Sequence, residues 1–205
     1  EKQLGISGKP EIEAYGIEAF NARCRASVLR YVEDWSSLTS RSGVWIDTAD
    51  AYNGGNSEAV VGRAISNNRS NWILATKLAN QIGDDPNRGG LSRRWVLQAA
   101  DESLKRLGTE FIDIYYLHKE DHATPLEETA RAIGDLMRQG KIRYFGVSNY
   151  RAWRVAEICN ICDRNGIDRP IVSQPYYNAM NRMPEVEHFP ACGYYGLGIV
   201  PYSPL

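Results

Sequence analysis

Six short apolar runs alternate with helical patterns along most of this chain, and that alternation constrains the fold more than any other feature. The strand candidates are Val44–Ala49, Trp72–Leu78, Phe111–His118, Ile142–Asn149, Pro170–Gln174 and Leu197–Tyr202. Between them, Val60, Val61, Ala64 and Ile65 mark one helical stripe, and Val96, Ala100, Leu104 and Leu107 a second at i, i+4, i+8 and i+11. Leu126, Ala130, Ile133 and Met137 carry a third, and Val155, Ile158, Cys159 and Cys162 a fourth. Gly108, Gly140 and Gly166 each sit where a helix should end, because glycine enters the left-handed conformation without a Cβ clash. Thr124-Pro125 with Glu127 reads as an N-cap, a first-turn proline and a capping-box acid. Strands alternating with helices imply a parallel α/β sheet, either open and doubly wound or closed into a barrel.

The first 43 residues fit this scheme less well. Ala26, Leu29, Val32 and Trp35 could share one helix face, and Leu4–Ala19 offers no convincing strand. No linker composition or repeat divides the chain, so 1–205 is expected to be a single domain, with 44–205 holding the regular part.

Composition narrows the function. There are 24 Lys+Arg against 25 Asp+Glu among 205 residues, a net charge of −1, so no basic footprint for nucleic acid or an acidic membrane exists. No apolar run approaches the ~18 residues of a membrane span, and no secretory leader is visible. Cys24, Cys159, Cys162 and Cys192 are too few for a disulfide scaffold, and a reducing, cytoplasmic setting is expected. The Cys159–Cys162 spacing has no second pair and falls on an apolar stripe, so buried thiols are expected there and no metal site. His118-Lys119-Glu120-Asp121-His122 lacks the glutamate of a zinc-protease helix. His188 is expected at the surface or at a helix cap, Arg93-Arg94 on a solvated face, and most of Trp45, Trp72, Trp95 and Trp153 as core or packing residues, with one lining the substrate cleft as the alternative.

In both parallel architectures ligands bind at the carboxyl ends of the strands. Those ends deliver Asp47 with Tyr52 beyond it, Lys77, His118, Ser148-Asn149, Gln174, and Tyr202-Ser203. Asp47, Tyr52, Lys77 and His118 make an acid–base set. A carboxylate beside a buried lysine holds it charged, and a nearby ammonium is expected to lower the phenol from its ordinary pKa of ~10. A neutral His118 could orient a carbonyl while Tyr52 protonates the developing alkoxide. Nothing in the set supplies a hydride, so a cofactor must. No G-x-G-x-x-G follows any strand, which counts against an open dinucleotide-binding sheet and toward a barrel.

The chain resembles the aldo-keto reductases in WIDTADAY (Trp45–Tyr52), LATK (Leu74–Lys77), SLKRLGTEFIDIYYLH (Ser103–His118), GKIRYFGVSN (Gly140–Asn149), SQPYYN (Ser173–Asn178) and IVPYSPL (Ile199–Leu205). Within that family it looks closest to bacterial reductases related to potassium-channel β subunits. The resemblance implies a (β/α)8 barrel of which 44–205 would be strands two to seven, with strand one unclear and strand eight and its flanking helices absent. It implies a nicotinamide dinucleotide cofactor, usually NADPH with NADH as the alternative, a small carbonyl substrate, and a homo-oligomer as one expected assembly. Asp47, Tyr52, Lys77 and His118 match the catalytic tetrad. Ser148, Asn149 and Gln174 match the positions that hold the nicotinamide carboxamide and Tyr202 the aromatic stacked on its ring, while Ser203 falls beside the pyrophosphate-binding segment. His118 stands where the channel subunits usually carry Asn, which favours a reductase over a nucleotide-sensing regulatory protein; an inactive truncated copy is the other alternative. The family more often has Gly after the tyrosine, where this chain has Asn53.

Overall fold

The computed structural model describes residues 8–29 and 44–203. Two units emerge, Glu1–Val44 and Trp45–Leu205. In the first, α1 (Lys9–Tyr15) ends at Gly16, whose φ of 96° suits glycine, and α2 (Ile17–Leu29) follows at once. The predicted helix face over Ala26 and Leu29 falls in α2, while Val32 and Trp35 lie outside the described residues.

The second unit places a strand in each of the six predicted runs. They are β1 (Val44–Asp47), β2 (Trp72–Leu78), β3 (Ile112–Leu117), β4 (Ile142–Ser148), β5 (Val172–Gln174) and β6 (Gly198–Ile199). They form one sheet in chain order, β1-β2-β3-β4-β5-β6. Pairing is parallel from β2 through β6, and Thr48 N–H and Asp50 N–H continue the ladder onto the carbonyls of Ala75 and Lys77. The helices between the strands are α3 (Asn56–Ile65), α4 (Arg93–Leu107), α5 (Leu126–Arg138), α6 (Ala152–Asn165) and α7 (His188–Tyr195). Among the described residues β1 and β6 do not pair with each other. The unit is thus a curled part of a (β/α)8 barrel, the architecture expected, in incomplete form.

Strand alternation sorts side chains onto two faces. Leu74, Leu78, Tyr115, Leu117, Phe145 and Val147 bury against the helices in the main core. Ala75, Ile114, Tyr116 and Val172 form a smaller cluster on the opposite, inner face, with Val200 against it. Register puts Lys77, Tyr116, Gly146, Val172 and Gly198 in one layer across β2 to β6. Gly146 is what lets the Tyr116 ring lie across this layer, since a Cβ there would stand 2.7 Å from Tyr116 Cε1 and 2.7 Å from Val172 Cγ1. Gly146→Ala is expected to cost about 1–3 kcal/mol of stability through overpacking; a urea unfolding midpoint equal to that of the parent would contradict it.

Several local expectations hold. Gly108 and Gly166 cap α4 and α6 in left-handed conformation, and Gly140 has φ 72°. The second, third and fourth helical stripes face the core, Leu104 and Met137 at its margin. Cys159 and Cys162 are buried free thiols, pushed up to about 11 and about 12 by desolvation.

Four expectations do not. Pro125, not Thr124, is the N-cap of α5; the Thr124 hydroxyl instead donates to Asp121 at 2.8 Å, and Glu127 pairs with Arg131. Val60 and Ala64 face outward, and α3 buries Glu58, Gly62 and Ile65. Of the four tryptophans named above, Trp95 is fully buried and Trp72 packs against the core, while Trp45 and Trp153 are exposed. His188 is buried, its Nε2 sharing a 2.8 Å hydrogen bond with the Ser173 hydroxyl.

Candidate active site

The carboxyl ends of the strands bring all four predicted acid–base residues together. Asp47 closes β1 and Lys77 sits near the end of β2 on the same face. Lys77 is 1% exposed, and its ammonium donates to both carboxylate oxygens of Asp47 at 2.7 Å and to Thr48 O at 2.9 Å. Three donors thus meet three acceptors, which is how a buried ammonium is retained. Desolvation lowers the Lys77 pKa, and Asp47 opposes that fall. Asp47 Oδ2 also accepts from Gln174 Nε2 at 2.9 Å, so β5 is tied across the inner face to β1.

Tyr52 follows β1 in a tight turn. Asn53, Gly54 and Gly55 take φ values of 49°, 60° and 87°, three successive left-handed residues. Asparagine enters that region more readily than other non-glycine residues, which is why the turn forms although the family more often has glycine after the tyrosine. Behind the turn, Glu58 is fully buried and accepts from Thr76 Oγ1 and Arg106 Nε, each at 2.6 Å, and the Thr48 and Ser57 hydroxyls lie 2.8 Å apart. Asp50 is buried beside this pair and its carboxyl rises to about 7, through desolvation first and then Glu58.

The Tyr52 ring is 43% exposed. It meets the His118 ring edge-on at 5.7 Å between centroids, and Lys77 Nζ stands 5.1 Å from its centre. The expected lowering of the phenol is not found. Burial raises the Tyr52 pKa, and Asp47 adds to the rise. The physical reason is first desolvation of the phenol and second the carboxylate: both Asp47 oxygens are held on Lys77 Nζ, so the ammonium reaches Tyr52 with a negative charge beside it.

His118 lies just beyond β3, its backbone N–H on Leu78 O at 2.9 Å. Burial and the Lys77 charge push it down to about 4, so the imidazole is neutral at physiological pH. Asn80, which the strand-end reading passed over, places Nδ2 3.0 Å from His118 Nδ1. Tyr116, also passed over, is fully buried below Lys77, with the ammonium 5.8 Å from its ring centre and the hydroxyl unpartnered among the described residues.

The remaining strand ends adjoin the same site. Ser148 Oγ donates to Gln174 O at 2.8 Å. Asn149, at φ 57°, turns its amide over the sheet edge to donate to His118 O at 2.9 Å and Ser148 Oγ at 3.1 Å. Tyr202 Oη donates to Asn149 Oδ1 at 2.7 Å, and its ring packs on Tyr176 at 5.4 Å. Ser203 has φ 52° and accepts on its carbonyl from Asn178 Nδ2 at 3.1 Å. Every sequence-predicted site residue therefore lies on one rim or on the loops that leave it.

Comparison with known proteins agrees with this architecture. The model of the Aldo/keto reductase family matches residues 25–205. Aflatoxin B1 aldehyde reductase member 4 of Homo sapiens is 40% identical over 172 residues, covering 82% of this chain and 50% of the relative. Versiconal hemiacetal acetate reductase of Aspergillus parasiticus is 38% identical, covering 78% and 52% respectively. A putative voltage-gated potassium channel subunit beta of Schizosaccharomyces pombe is 33% identical, covering 93% and 55%. The chain spans about half the length of the curated relatives it matches. With the family match spanning the whole strand–helix series and the strand ends converging on one rim, the chain belongs to the aldo/keto reductase family.

Proposed function

We propose that this chain carries the catalytic rim of a nicotinamide-dependent reductase that converts a small aldehyde or ketone to an alcohol. The observation that carries the reading is the convergence of Tyr52, His118 and the Lys77–Asp47 pair at one point on the inner face. Tyr52 is the proton donor. Its raised pKa keeps the phenol protonated, and an alkoxide is so much more basic than a phenolate that transfer is downhill without tuning. His118, neutral, hydrogen-bonds the carbonyl oxygen and places it beside Tyr52. The Lys77–Asp47 pair holds a fixed dipole under the reacting oxygen.

The donor set suits a primary carboxamide: Ser148, Asn149 and Gln174 put one hydroxyl and two amides next to each other, and Gln174 is already oriented by Asp47. Tyr202 would supply an aromatic face, and Ser203 begins the segment that follows. A reduced nicotinamide, NADPH first and NADH second, supplies the hydride when bound. Tyr202 Oη takes one lone pair of Asn149 Oδ1 and leaves the second for a donor.

The test uses the full chain in two arms. Thermal melting with increasing NADPH or NADH should show a rising midpoint, by linkage. Aldehyde-dependent loss of the reduced-nicotinamide absorbance then separates a reductase from a nucleotide-sensing protein like the channel subunits. A midpoint indifferent to both cofactors would remove the reading.

A further inference from the structure

We propose that Asn80 is a positioning residue that fixes the tautomer of His118, keeping the imidazole proton on Nε2, where it can be donated to a substrate oxygen. The inference rests on the reductase reading and deepens it.

The geometry runs through the backbone at the end of β2. Ala79 has φ 123°, a conformation that a residue with a Cβ adopts only when its surroundings hold it there. Two hydrogen bonds hold it: Leu78 O accepts from His118 N at 2.9 Å on one side, and Ala79 O accepts from Gly90 N at 3.0 Å on the other. The two bonds hold the peptides flanking this turn, and the residue that follows it is Asn80. Its side chain then meets His118 Nδ1 at 3.0 Å. An amide NH2 can only donate, so the ring nitrogen facing it must present a lone pair. In a neutral imidazole the proton then sits on Nε2, which has no hydrogen-bond partner among the described residues. The opposite tautomer would offer a lone pair to a carbonyl oxygen, which repels it. An apolar residue at position 80 would leave the ring free to choose, and an aspartate would choose the wrong nitrogen, because a carboxylate accepts from Nδ1–H.

The experiment is two-bond 1H–15N correlation of the full chain labelled at histidine, with His118 told apart from His122 and His188 by loss of its signals in His118→Asn. Above pH 6 the expected His118 pattern is that of the Nε2–H form. Asn80→Ala should give averaged shifts of two exchanging tautomers. Asn80→Asp should give the Nδ1–H form and lower kcat at pH 7 by about 10²-fold or more with little change in NADPH affinity. An Nδ1–H pattern in the unmodified chain, or an unchanged pattern in Asn80→Asp, overturns the proposal. If the tautomers behave as expected but the unmodified chain oxidises no NADPH with any aldehyde, the reductase reading fails while the Asn80 lock stands.

Discussion

Tyr52→Phe should lower kcat for aldehyde reduction by about 10²–10⁴-fold, the range expected when a positioned acid is removed. NADPH affinity and melting temperature should hardly move, because the Tyr52 hydroxyl makes no hydrogen bond among the described residues and its ring contacts with His118 and Lys77 survive in phenylalanine. The two arms separate loss of chemistry from loss of structure. A distinct pH dependence accompanies this. Burial and Asp47 hold the Tyr52 pKa above its ordinary value of 10.0, so the acid form is complete throughout the neutral range. The rate of the unmodified chain should show no fall assignable to Tyr52 below pH 10. A phenol-dependent limb near neutrality, absent in Tyr52→Phe, would mean that Lys77 does tune the donor in the working state.

Lys77→Met should be the most damaging single change to this unit. It removes three hydrogen bonds at once and leaves Asp47 with Gln174 Nε2 as its remaining side-chain partner and Thr48 O without the ammonium. Breaking a buried pair from one side costs about 3–5 kcal/mol, and the partial exposure of Asp47 places this case near the lower figure. Against a total stability of about 5–15 kcal/mol, that should appear as a large drop in the urea midpoint. The desolvation that lowers the Lys77 pKa works the other way. The unfolded chain holds that proton more tightly, so the lysine makes the parent gain stability as pH rises from its lowered folded value toward its ordinary 10.5. In Lys77→Met that alkaline gain should be missing. A variant with the parent's midpoint and pH dependence would show that the pair contributes nothing.

Much of this is legible in the sequence. Strand runs and helix stripes depend on local periodicity, and the polar residues closing each run were readable by position because successive parallel strands end on one rim. The errors share a cause, which is that composition does not reveal partners. Val60 and Ala64 looked like a core stripe, but the buried face of α3 instead carries Glu58, whose charge is met by Arg106 from α4, 48 positions away in sequence. His188 looked like a surface residue until Ser173, on β5, gave its ring a hydrogen bond. Thr124 fits an N-cap by spacing, yet its hydroxyl found Asp121 first.

The candidate site residues divide along the same line. By itself the sequence determined that Asp47, Tyr52, Lys77 and His118 belong to one set, because residue type and strand-end position are properties of the chain. Only the tertiary structure decided how they are charged. Whether Lys77 lowers the Tyr52 pKa depends on how far the phenol is buried and on where the Asp47 carboxylate lies; the phenol is partly desolvated and the carboxylate lies on Lys77 Nζ, so the pKa moves up. Which imidazole nitrogen keeps its proton depends on Asn80, a residue that gave no signal in the sequence because its role exists only across β2 and β3. Electrostatic energies vary with separation and burial, and neither is encoded in the order of residues.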